Sequence, residues 1–464
     1  MRFFLLAASL YLISTVLHAS NIIVNDITQL NPISVNKIIS PTTIEDIRQA
    51  IVNTSGKISI GGGKYSQGGQ TAYPNSLHID MRQFNKIVHL NELKKEVSVQ
   101  AGITWRKLQT EIDKYGLSIS VMQTYADFTV GGSLSVNAHG RYIGRGAIVH
   151  TVKSIKLMLS DGSIVTANRS HNADLFYASI GGYGGIGVIL EVTLLLDINT
   201  KIERKVSTMD IGEYKKYFMQ NTRDDKSIIF HNSDIYPPDF VDVRAISWHT
   251  TDKDLTNTDR LRDKKDSYTF IPNLIDFLSL SDIGKWLRKN IIDPVYYYAN
   301  AVVWRNWEAS YDVTELEPKS RKEYTYALKE YFVPIDEFDN FYVSLRDILI
   351  KYNVNVVNIS IRHAHKDQET ILSWSRNEVF AFVVYYRQAN DVKSQQIVKK
   401  WDQDIIDAVL ESGGSYYLPY QNNATVDQFV KAYPKYKEYM LLKKKVDPHS
   451  RFFNKLLEKY LDKV

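Results

Sequence analysis

The chain has 464 residues, of which 44% are apolar and 23% charged, and its formal net charge is +5. This length exceeds that of a single ordinary core, so two domains are expected. The small net charge gives no indication of nucleic-acid binding or of an acidic substrate. Cysteine is absent, which excludes disulfides, thiolate metal sites and thiol nucleophiles.

The first twenty residues have the features of a secretory signal. Arg2 precedes an apolar run at 3–16, and small residues follow at Ala19 and Ser20. A bilayer-spanning helix needs roughly 18 to 20 consecutive apolar residues, and no segment reaches that length. We therefore expect a signal peptide at 1–20 and an exported, periplasmic protein; an uncleaved N-terminal membrane anchor is the alternative.

Short strands and helices alternate through the first third of the chain. One helix follows Pro41, with a capping box predicted on Thr42 and Glu45, and another begins after Thr104 and ends at Gly116. Strands are predicted at 57–60, 76–81 and 97–102, and a hairpin at 154–167. This alternation indicates an α/β or α+β domain.

A glycine-rich turn lies in Lys57 to Gly69, KISIGGGKYSQGG. Consecutive glycines let backbone N–H groups converge without intervening side chains, and such a nest binds anions. The pattern favours a phosphate, although a plain turn has the same composition.

A second informative stretch is Thr124 to Gly140, TYADFTVGGSLSVNAHG. Its glycine pair allows the backbone to approach a ligand closely, and Ser133, Ser135 and Asn137 offer hydrogen bonds. A plain turn into a helix is the alternative.

A third glycine segment, GYGGIG at 182–187, satisfies the dinucleotide fingerprint G-x-G-x-x-G. That motif must follow a strand and open a helix, so that the pyrophosphate meets the helix N-terminus. Here a helix-like segment precedes the glycines and a strand follows them. We therefore reject a Rossmann site and expect backbone contact with a cofactor instead.

Four ordered stretches together resemble the FAD domain of the vanillyl-alcohol oxidase and p-cresol methylhydroxylase superfamily. They are GGGKYSQGG, TVGGSLSVNAHG, the SDGS hairpin and DLFYASIGGYGGIGVILEVTLLL. The segment Ala432 to Asn454 resembles the end of sugar-acting members, the aldonolactone oxidases and decaprenylphosphoryl-ribose 2-oxidases.

The resemblance implies an α+β fold with three parts. A two-lobed FAD-binding domain of the PCMH type would occupy 21–198, and an α+β substrate (cap) domain with an antiparallel sheet would occupy 199–411. A C-terminal segment at 412–464 would return to the FAD domain.

By position, the resemblance also implies which residues hold the FAD. They are Gly61, Gly62, Gly63, Lys64, Tyr65, Ser66, Thr129, Gly131, Gly132, Ser133, Ser135, Asn137, His139, Gly187, Val188 and Ile189. Many relatives join the flavin covalently to a histidine after the first glycine turn, where this chain has Lys64. The other common linkage uses cysteine, so we expect non-covalent FAD.

The segment Asn358 to Arg376 is the candidate for the substrate side of the flavin. If NISIR is a strand, Asn358, Ser360 and Arg362 point to one side. The segment resembles one in aldonolactone oxidases where a Glu and an Arg, two residues apart, face the substrate. Arg362 falls on the Arg, whereas Ser360 stands at the Glu position.

Two histidines, His363 and His365, alternate with those residues on the same segment. Such a pair is able to ligate a metal, but no third ligand stands nearby in the sequence, so no metal site is predicted.

The stretch beginning at Tyr416, YYLPYQNNAT, falls where sugar-acting relatives carry a lysine beside the flavin. Tyr420, Gln421 and Asn422 occupy that neighbourhood here. The candidate catalytic residues are therefore Arg362, which would hold a substrate oxygen or offset negative charge on the reduced flavin, and Tyr420 or His363 as the base.

The implied function is FAD-dependent oxidation of an alcohol (CH–OH) group of a sugar, aldonolactone or sugar-like molecule by hydride transfer to flavin N5. Oxygen or a membrane electron acceptor would reoxidise the flavin. The aromatic and basic stretch around Trp286 and Tyr297 suits a peripheral membrane contact, an aromatic core or a dimer surface. A flavoprotein acting on a non-sugar alcohol and a catalytically idle flavin-binding protein remain as alternatives.

Overall fold

The computed structural model describes residues 22–263, 277, 281–316, 318 and 320–461. The predicted signal peptide at 1–20 lies outside the described residues. Within them, strands form four β-sheets, and helices pack against the larger sheets.

The strands are β1 (Ile22–Val24), β2 (Ile33–Val35), β3 (Lys37–Ile39), β4 (Ile58–Gly61), β5 (Leu77–Asp80), β6 (Ile87–Asn91), β7 (Glu96–Gln100), β8 (Leu117–Ile119), β9 (Val152–Met158), β10 (Ile164–Ala167), β11 (Val188–Ile198), β12 (Lys201–Asp210), β13 (Ile228–Ile235), β14 (Asp242–Thr250), β15 (Val302–Trp304), β16 (Tyr324–Pro334), β17 (Val356–Ala364), β18 (Val379–Ala389) and β19 (Ser415–Tyr416).

The α-helices are α1 (Ile44–Val52), α2 (Trp105–Ile112), α3 (Val130–Ser135), α4 (Ala173–Ser179), α5 (Ile211–Asn221), α6 (Asp282–Leu287), α7 (Asp293–Tyr298), α8 (Arg305–Glu308), α9 (Phe338–Lys351), α10 (Val392–Glu411), α11 (Val426–Ala432), α12 (Tyr436–Val446) and α13 (Lys455–Tyr460). A π-helical turn, Arg288–Ile292, joins α6 to α7.

The first part of the chain carries two different sheets. A parallel sheet has the order β3-β5-β4, and an antiparallel sheet has the order β10-β9-β11-β7-β6, with β8 also pairing with β11. The second part forms one antiparallel sheet of eight strands, in the order β15-β12-β14-β13-β17-β18-β16-β19. The α+β class and the antiparallel sheet of the cap domain are confirmed.

Local sequence signals explain most of these elements. Thr104 caps α2 by accepting a hydrogen bond from Lys107 N, and Gly116 ends that region with φ of 68°. The capping box of α1 was predicted one residue too early, on Thr42. Thr43 is the N-cap, because its hydroxyl accepts from Asp46 N while the Asp46 carboxylate accepts from Thr43 N.

The order of elements around the third glycine segment agrees with the rejection of a Rossmann site. The helix α4 precedes the glycines and the strand β11 follows them. The segment therefore opens no helix that would receive a pyrophosphate.

The C-terminal segment connects the two parts of the molecule. Its strand β19 pairs with β16 of the eight-stranded sheet. Farther on, Tyr439 Oη donates to Gly182 O at 2.7 Å, and Phe453 N donates to Ile58 O at 2.9 Å. The end of the chain thus returns to the first part, next to the glycine segments.

Among the described helices, none combines the length and the apolar character that crossing a membrane would require.

Candidate active site

A cavity of about 500 Å³ lies between the first glycine turn and one face of the eight-stranded sheet. This size is typical of cofactor and small-molecule sites. Its polar lining includes Lys64, Ser66, Gln123, Thr124, Thr129, Ser133, His139, Lys285, Arg288, Arg321, Glu330, Asn358, Ser360, Arg362 and Tyr420.

The glycine side of the cavity presents backbone rather than side chains. The N–H groups of Gly63, Lys64 and Ser66 donate no hydrogen bond to any described residue. A Cβ atom on Gly62 would lie 2.2 Å from Thr129 Oγ1, and one on Gly132 would lie 2.8 Å from the same atom. Larger residues would close this approach, whereas glycine keeps it open for a ligand with several acceptor oxygens.

A smaller cavity of about 80 Å³ continues behind this glycine side and shares Gly62, Thr129 and Gly132 with the larger one. It is lined mainly by small residues: Gly61, Gly62, Ser66, Ala101, Gly131, Gly132, Ser135, Gly184 and Gly187. Together the cavities provide a narrow, glycine-lined end and a wide, polar end. The residues present therefore fit FAD: the glycine-lined end would receive its pyrophosphate, and the polar end would receive its ring system.

Fourteen of the sixteen residues predicted to hold FAD line one of the two cavities. The exceptions are Asn137 and Val188. The Asn137 amide donates to Asp367 Oδ2 at 2.8 Å and accepts from Val149 N at 3.2 Å, so it is occupied within the protein. The Val188 side chain is fully buried in a hydrophobic cluster. The position of the Asn137 amide does not support its predicted contact with the cofactor, whereas for Val188 the prediction was backbone contact, which its buried side chain does not test.

Below the glycine turn, the buried His78 packs against the backbone. A Cβ atom on Gly61 would lie 2.7 Å from His78 Cε1. Burial lowers the pKa of His78 to about 4, and the positive charge of Lys64 acts in the same direction. The imidazole under the turn is therefore neutral at physiological pH.

The opposite wall is one face of β17, β18 and β16. Their register places Ser360, Val383 and Glu330 in one row across the three strands. All three residues line the cavity, and the neighbouring row contributes Asn358 and Tyr385. Because alternate residues of a strand share a face, Arg362 also points to this side.

Arg362 is a cation without a counter-ion at this wall. It forms no ion pair or hydrogen bond with any described residue, and its Nε is buried without a partner. A buried donor left unpaired is costly unless a ligand satisfies it. Arg362 is therefore poised to bind an oxygen or a negative charge within the cavity.

Glu330 is the only carboxylate among the described residues that line the cavity. Its side chain is 2% exposed, and its Oε1 lies 2.7 Å from His139 Nε2. Tyr420 Oη donates to its Oε2 at 3.3 Å. The imidazole of His139 is in turn held among aromatic rings, with Trp374 at a centroid distance of 4.8 Å.

Tyr420 lies in the cavity, as a candidate base should, but its chemistry differs from the prediction. Burial raises its pKa well above the usual value, and the charge of Glu330 adds to this rise. The phenol therefore stays protonated near neutral pH and donates a hydrogen bond. A phenol held protonated in this way is a poor proton acceptor.

His363, the second candidate base, lies on the opposite face of β17. It does not line the cavity, and its Nε2 lies 2.7 Å from Glu378 Oε1. Strand alternation explains the error, because His363 is adjacent to Arg362 and must point the other way. We therefore withdraw His363 as a catalytic candidate.

Glu378 also supplies the third potential metal ligand that the sequence did not reveal. Ligand atoms of His363, His365 and Glu378 lie within 4.8 Å of one another. However, the Glu378 carboxylate accepts two hydrogen bonds from Arg223, at 2.9 and 2.7 Å. The guanidinium already supplies the positive charge that a metal ion would bring, so the cluster is accounted for as an ion-pair network.

The neighbourhood of the missing lysine is structural. Asn422 Nδ2 donates to Gly68 O at 2.7 Å, and Gln421 Oε1 accepts from Tyr386 Oη at 3.2 Å. Neither residue lines the cavity. These contacts tie the C-terminal loop to the glycine turn and to β18.

The sequence prediction missed Glu330 as a site residue. Its segment, KEYFVP at 329–334, lies within the predicted cap domain, and no site residue was predicted there. One sequence signal was available: Glu330 is an acidic residue within a largely apolar strand. Acidic residues are rarely buried unless they are paired or have a functional role.

Two family models match the chain. The model described as "FAD binding domain" matches residues 35–168, and the model described as "D-arabinono-1,4-lactone oxidase" matches residues 250–463. The first covers the glycine turn and the second glycine stretch. The second covers the sheet face with Glu330, Arg362 and Tyr420.

Curated relatives match this chain over different lengths. The L-gulonolactone oxidase of Mus musculus is 23% identical over an aligned length of 457 residues, and the alignment covers 90% of this chain and 93% of that protein. The mitochondrial L-galactono-1,4-lactone dehydrogenase of Arabidopsis thaliana is 29% identical over 138 residues, which are 30% of this chain and 23% of that protein.

Proposed function

Because the chain belongs to the family of FAD-dependent aldonolactone oxidases and dehydrogenases, we propose that it oxidises a CH–OH group of an aldonolactone or a similar sugar-like molecule. The observation that carries this proposal is the shared cavity. A glycine-lined end suited to the phosphates of FAD opens into a polar space floored by Ser360, Glu330 and the unpaired Arg362.

FAD would be held by the backbone of the first glycine turn on one side and by the Thr129 to Ser135 stretch on the other. When bound, it supplies the two-electron oxidation by accepting hydride at flavin N5. We propose that the attachment is non-covalent, because the position used for covalent linkage in many relatives is Lys64. Acid precipitation should then release all flavin colour into the supernatant, and colour left in the pellet would contradict this point.

Arg362 would position the substrate. Its guanidinium has no counter-ion among the described residues, so a hydroxyl or carbonyl oxygen of a lactone can occupy its donors. The same charge would stabilise negative charge that develops in the cavity during oxidation. An arginine stays protonated, so it contributes binding and electrostatics and not proton transfer.

The reaction is tested by product analysis. Purified protein is incubated with aldonolactones, alditols and, for comparison, aromatic alcohols, and the products are examined by mass spectrometry. We expect a lactone or alditol product that has lost two hydrogen atoms, formed only with FAD-loaded protein. Turnover restricted to aromatic alcohols would contradict the proposed substrate class.

We further propose that the protein is exported to the periplasm, on the basis of the N-terminal sequence. Oxygen or a membrane electron acceptor would then take up the electrons. Fractionation of cells expressing the full chain tests the location, and flavin reoxidation by oxygen compared with that by a soluble quinone distinguishes the acceptors.

A peripheral membrane contact is proposed for the segment of α6, the π-helical turn and α7. Large apolar side chains are exposed along it: Ile283, Trp286, Ile291, Val295, Tyr296 and Tyr298. Arg288 and Lys289 on the same segment pair with Asp293 and Asp242, so the exposed apolar side chains would carry the contact. Arg288 also lines the cavity and donates to Val357 O, so the contact would lie beside the site. Sedimentation with phosphatidylglycerol vesicles, reduced in Trp286→Ser, tests this contact.

A further inference from the structure

The cavity contains few groups able to take a proton from a substrate hydroxyl. Among the described lining residues, the candidates are Glu330, His139 and the lysines Lys64 and Lys285. Burial lowers the pKa of both lysines, but neither stands on the sheet face: Lys64 belongs to the glycine turn, 3.7 Å from Asp80, and Lys285 lies at the helical edge of the cavity. The phenol of Tyr420 is protonated, as its burial requires. This leaves the neighbouring pair of Glu330 and His139.

Glu330 is better placed than His139. Its side chain rises from the sheet face in the same row as Ser360, with the apolar Val383 between them. Two strand spacings separate the backbones of Glu330 and Ser360, about 10 Å. His139 lies behind Glu330, with its Nε2 2.7 Å from Glu330 Oε1 and its ring packed on Trp374 and Phe332.

Among the described residues, no Lys or Arg side chain forms an ion pair with Glu330. The adjacent Lys329 points to the other face of β16, where it pairs with Asp402. The carboxylate is held instead by the Tyr420 hydroxyl and lies next to an imidazole. Burying a carboxylate in this way lowers the stability of the fold. A neutral residue at this position would fill the same space without that loss, so a purely structural role does not explain the carboxylate.

We infer that Glu330 is the catalytic base of the proposed oxidation and accepts the proton of the substrate hydroxyl. The inference rests on the proposed function. The O–H bond of the substrate breaks, its proton joins a Glu330 oxygen, and its electron pair forms the second bond of the new carbonyl group. The electron pair of the C–H bond leaves with its hydrogen as the hydride that FAD accepts. Arg362 holds the substrate from β17, on the far side of β18.

The geometry also relates to the serine at position 360. The resemblance to aldonolactone oxidases placed a carboxylate at Ser360, and this chain has none there. In the structure a carboxylate enters the same row from β16 instead. A carboxylate at position 330 or at position 360 would face the same cavity. The substitution Ser360→Glu can therefore be used to test for rescue when the carboxylate of Glu330 is removed.

The chain offers a matched control for Glu330. Glu378 also has a histidine nitrogen 2.7 Å from its carboxylate, but it lies behind the sheet and does not line the cavity. Both residues are changed to glutamine, which preserves shape and removes the charge. FAD content, the dissociation constant of a product lactone measured from the shift in the flavin spectrum, and the anaerobic rate of flavin reduction are determined for each.

We expect Glu330→Gln to retain FAD, to bind the product lactone within about threefold of wild type, and to lose about 10²–10⁴-fold in reduction rate, the usual contribution of a positioned base. Glu378→Gln should reduce its flavin at the wild-type rate. Formate should partly restore reduction in Glu330→Ala, and Ser360→Glu should partly restore it when combined with Glu330→Gln.

Two results would contradict the account, and they are distinguishable. A wild-type flavin that no sugar or lactone reduces contradicts the proposed function and the inference with it. A wild-type flavin that is reduced, together with a Glu330→Gln rate within threefold of it at equal FAD content, overturns the inference alone. A reduction defect explained entirely by weaker lactone binding, without rescue by formate, also overturns it.

Discussion

The two walls of the cavity are built in opposite ways. The glycine wall comes from two continuous stretches, and it offers backbone N–H groups at positions such as Gly63 and Lys64. The sheet wall comes from three strands, and it offers side chains such as Glu330 on β16 and Arg362 on β17. The first suits a cofactor with many acceptor oxygens, whereas the second suits a small polar substrate.

This difference implies that some substitutions should abolish FAD binding, whereas others should abolish turnover without affecting FAD binding. A change in the glycine wall should remove the flavin itself. A change on the sheet wall should leave the flavin and remove the reaction. A change behind the sheet should spare both and affect only the stability of the fold.

The largest effect is expected from Gly132→Val. Even a Cβ atom at this position would lie 2.8 Å from Thr129 Oγ1, and the added methyl groups would enter the narrow cavity. The purified variant should contain no FAD, as measured by its visible spectrum. Gly56→Val is the control, because nothing lies within 4 Å of a Cβ atom there. Retention of FAD by Gly132→Val would refute the assignment of this wall.

The next effect is expected from Arg362→Ala. Removal of the unpaired guanidinium should lower kcat by about 10²–10³-fold, the size observed when one stabilising donor is lost from an active site. The FAD content should stay at the wild-type level. Arg346→Ala on α9, away from the cavity, serves as the control for turnover assays. Loss of FAD from Arg362→Ala would contradict the proposal that the glycine wall binds FAD and the sheet wall acts only on the substrate.

A pH effect is expected beneath the glycine wall. The pKa of His78 is about 4 in the fold and about 6.5 when unfolded, so the unfolded chain binds more protons between these values. The neutral His78 therefore contributes its full stabilisation above pH 6.5. As the pH falls from 6.5 toward 4, the free energy of unfolding decreases by about 3 kcal/mol on this account. Denaturant unfolding at pH 7 and pH 4 should show this extra loss in wild type and not in His78→Gln. Equal pH dependence of the two proteins would exclude it.

The smallest effect is expected from Glu378→Gln. The carboxylate contacts His363 and Arg223, and these contacts lower its pKa. Its stabilising effect is therefore present above the ordinary carboxyl pKa and is lost as the pH falls below it. We expect about 1–3 kcal/mol of lost stability at pH 7, because polar partners are left unpaired. Urea unfolding measures it, and an unchanged midpoint would contradict the ion-pair reading.

Much of the glycine wall was predictable because its signals are local. The glycine turn, the cap of α2 by Thr104, the hairpin and the order of α4 and β11 all follow from short stretches of sequence. The shift of the α1 cap from Thr42 to Thr43 is a one-residue error of the kind expected at helix ends.

The sheet wall was less predictable because it depends on strand pairing. Nothing in the sequence states that Glu330 and Ser360 pair with the same residue, Val383. In the same way, the Asn137 amide donates a hydrogen bond to Asp367, which is 230 residues away in the sequence. The sequence therefore did not show that this amide has a partner within the protein. Alternation along β17 did predict the shared face of Ser360 and Arg362.

The most direct measurement is the visible absorption spectrum of the purified protein, recorded anaerobically before and after an aldonolactone is added. The account predicts a flavin band that is bleached by the substrate. A colourless protein that does not take up added FAD, or a flavin band that no sugar or lactone bleaches, would contradict it.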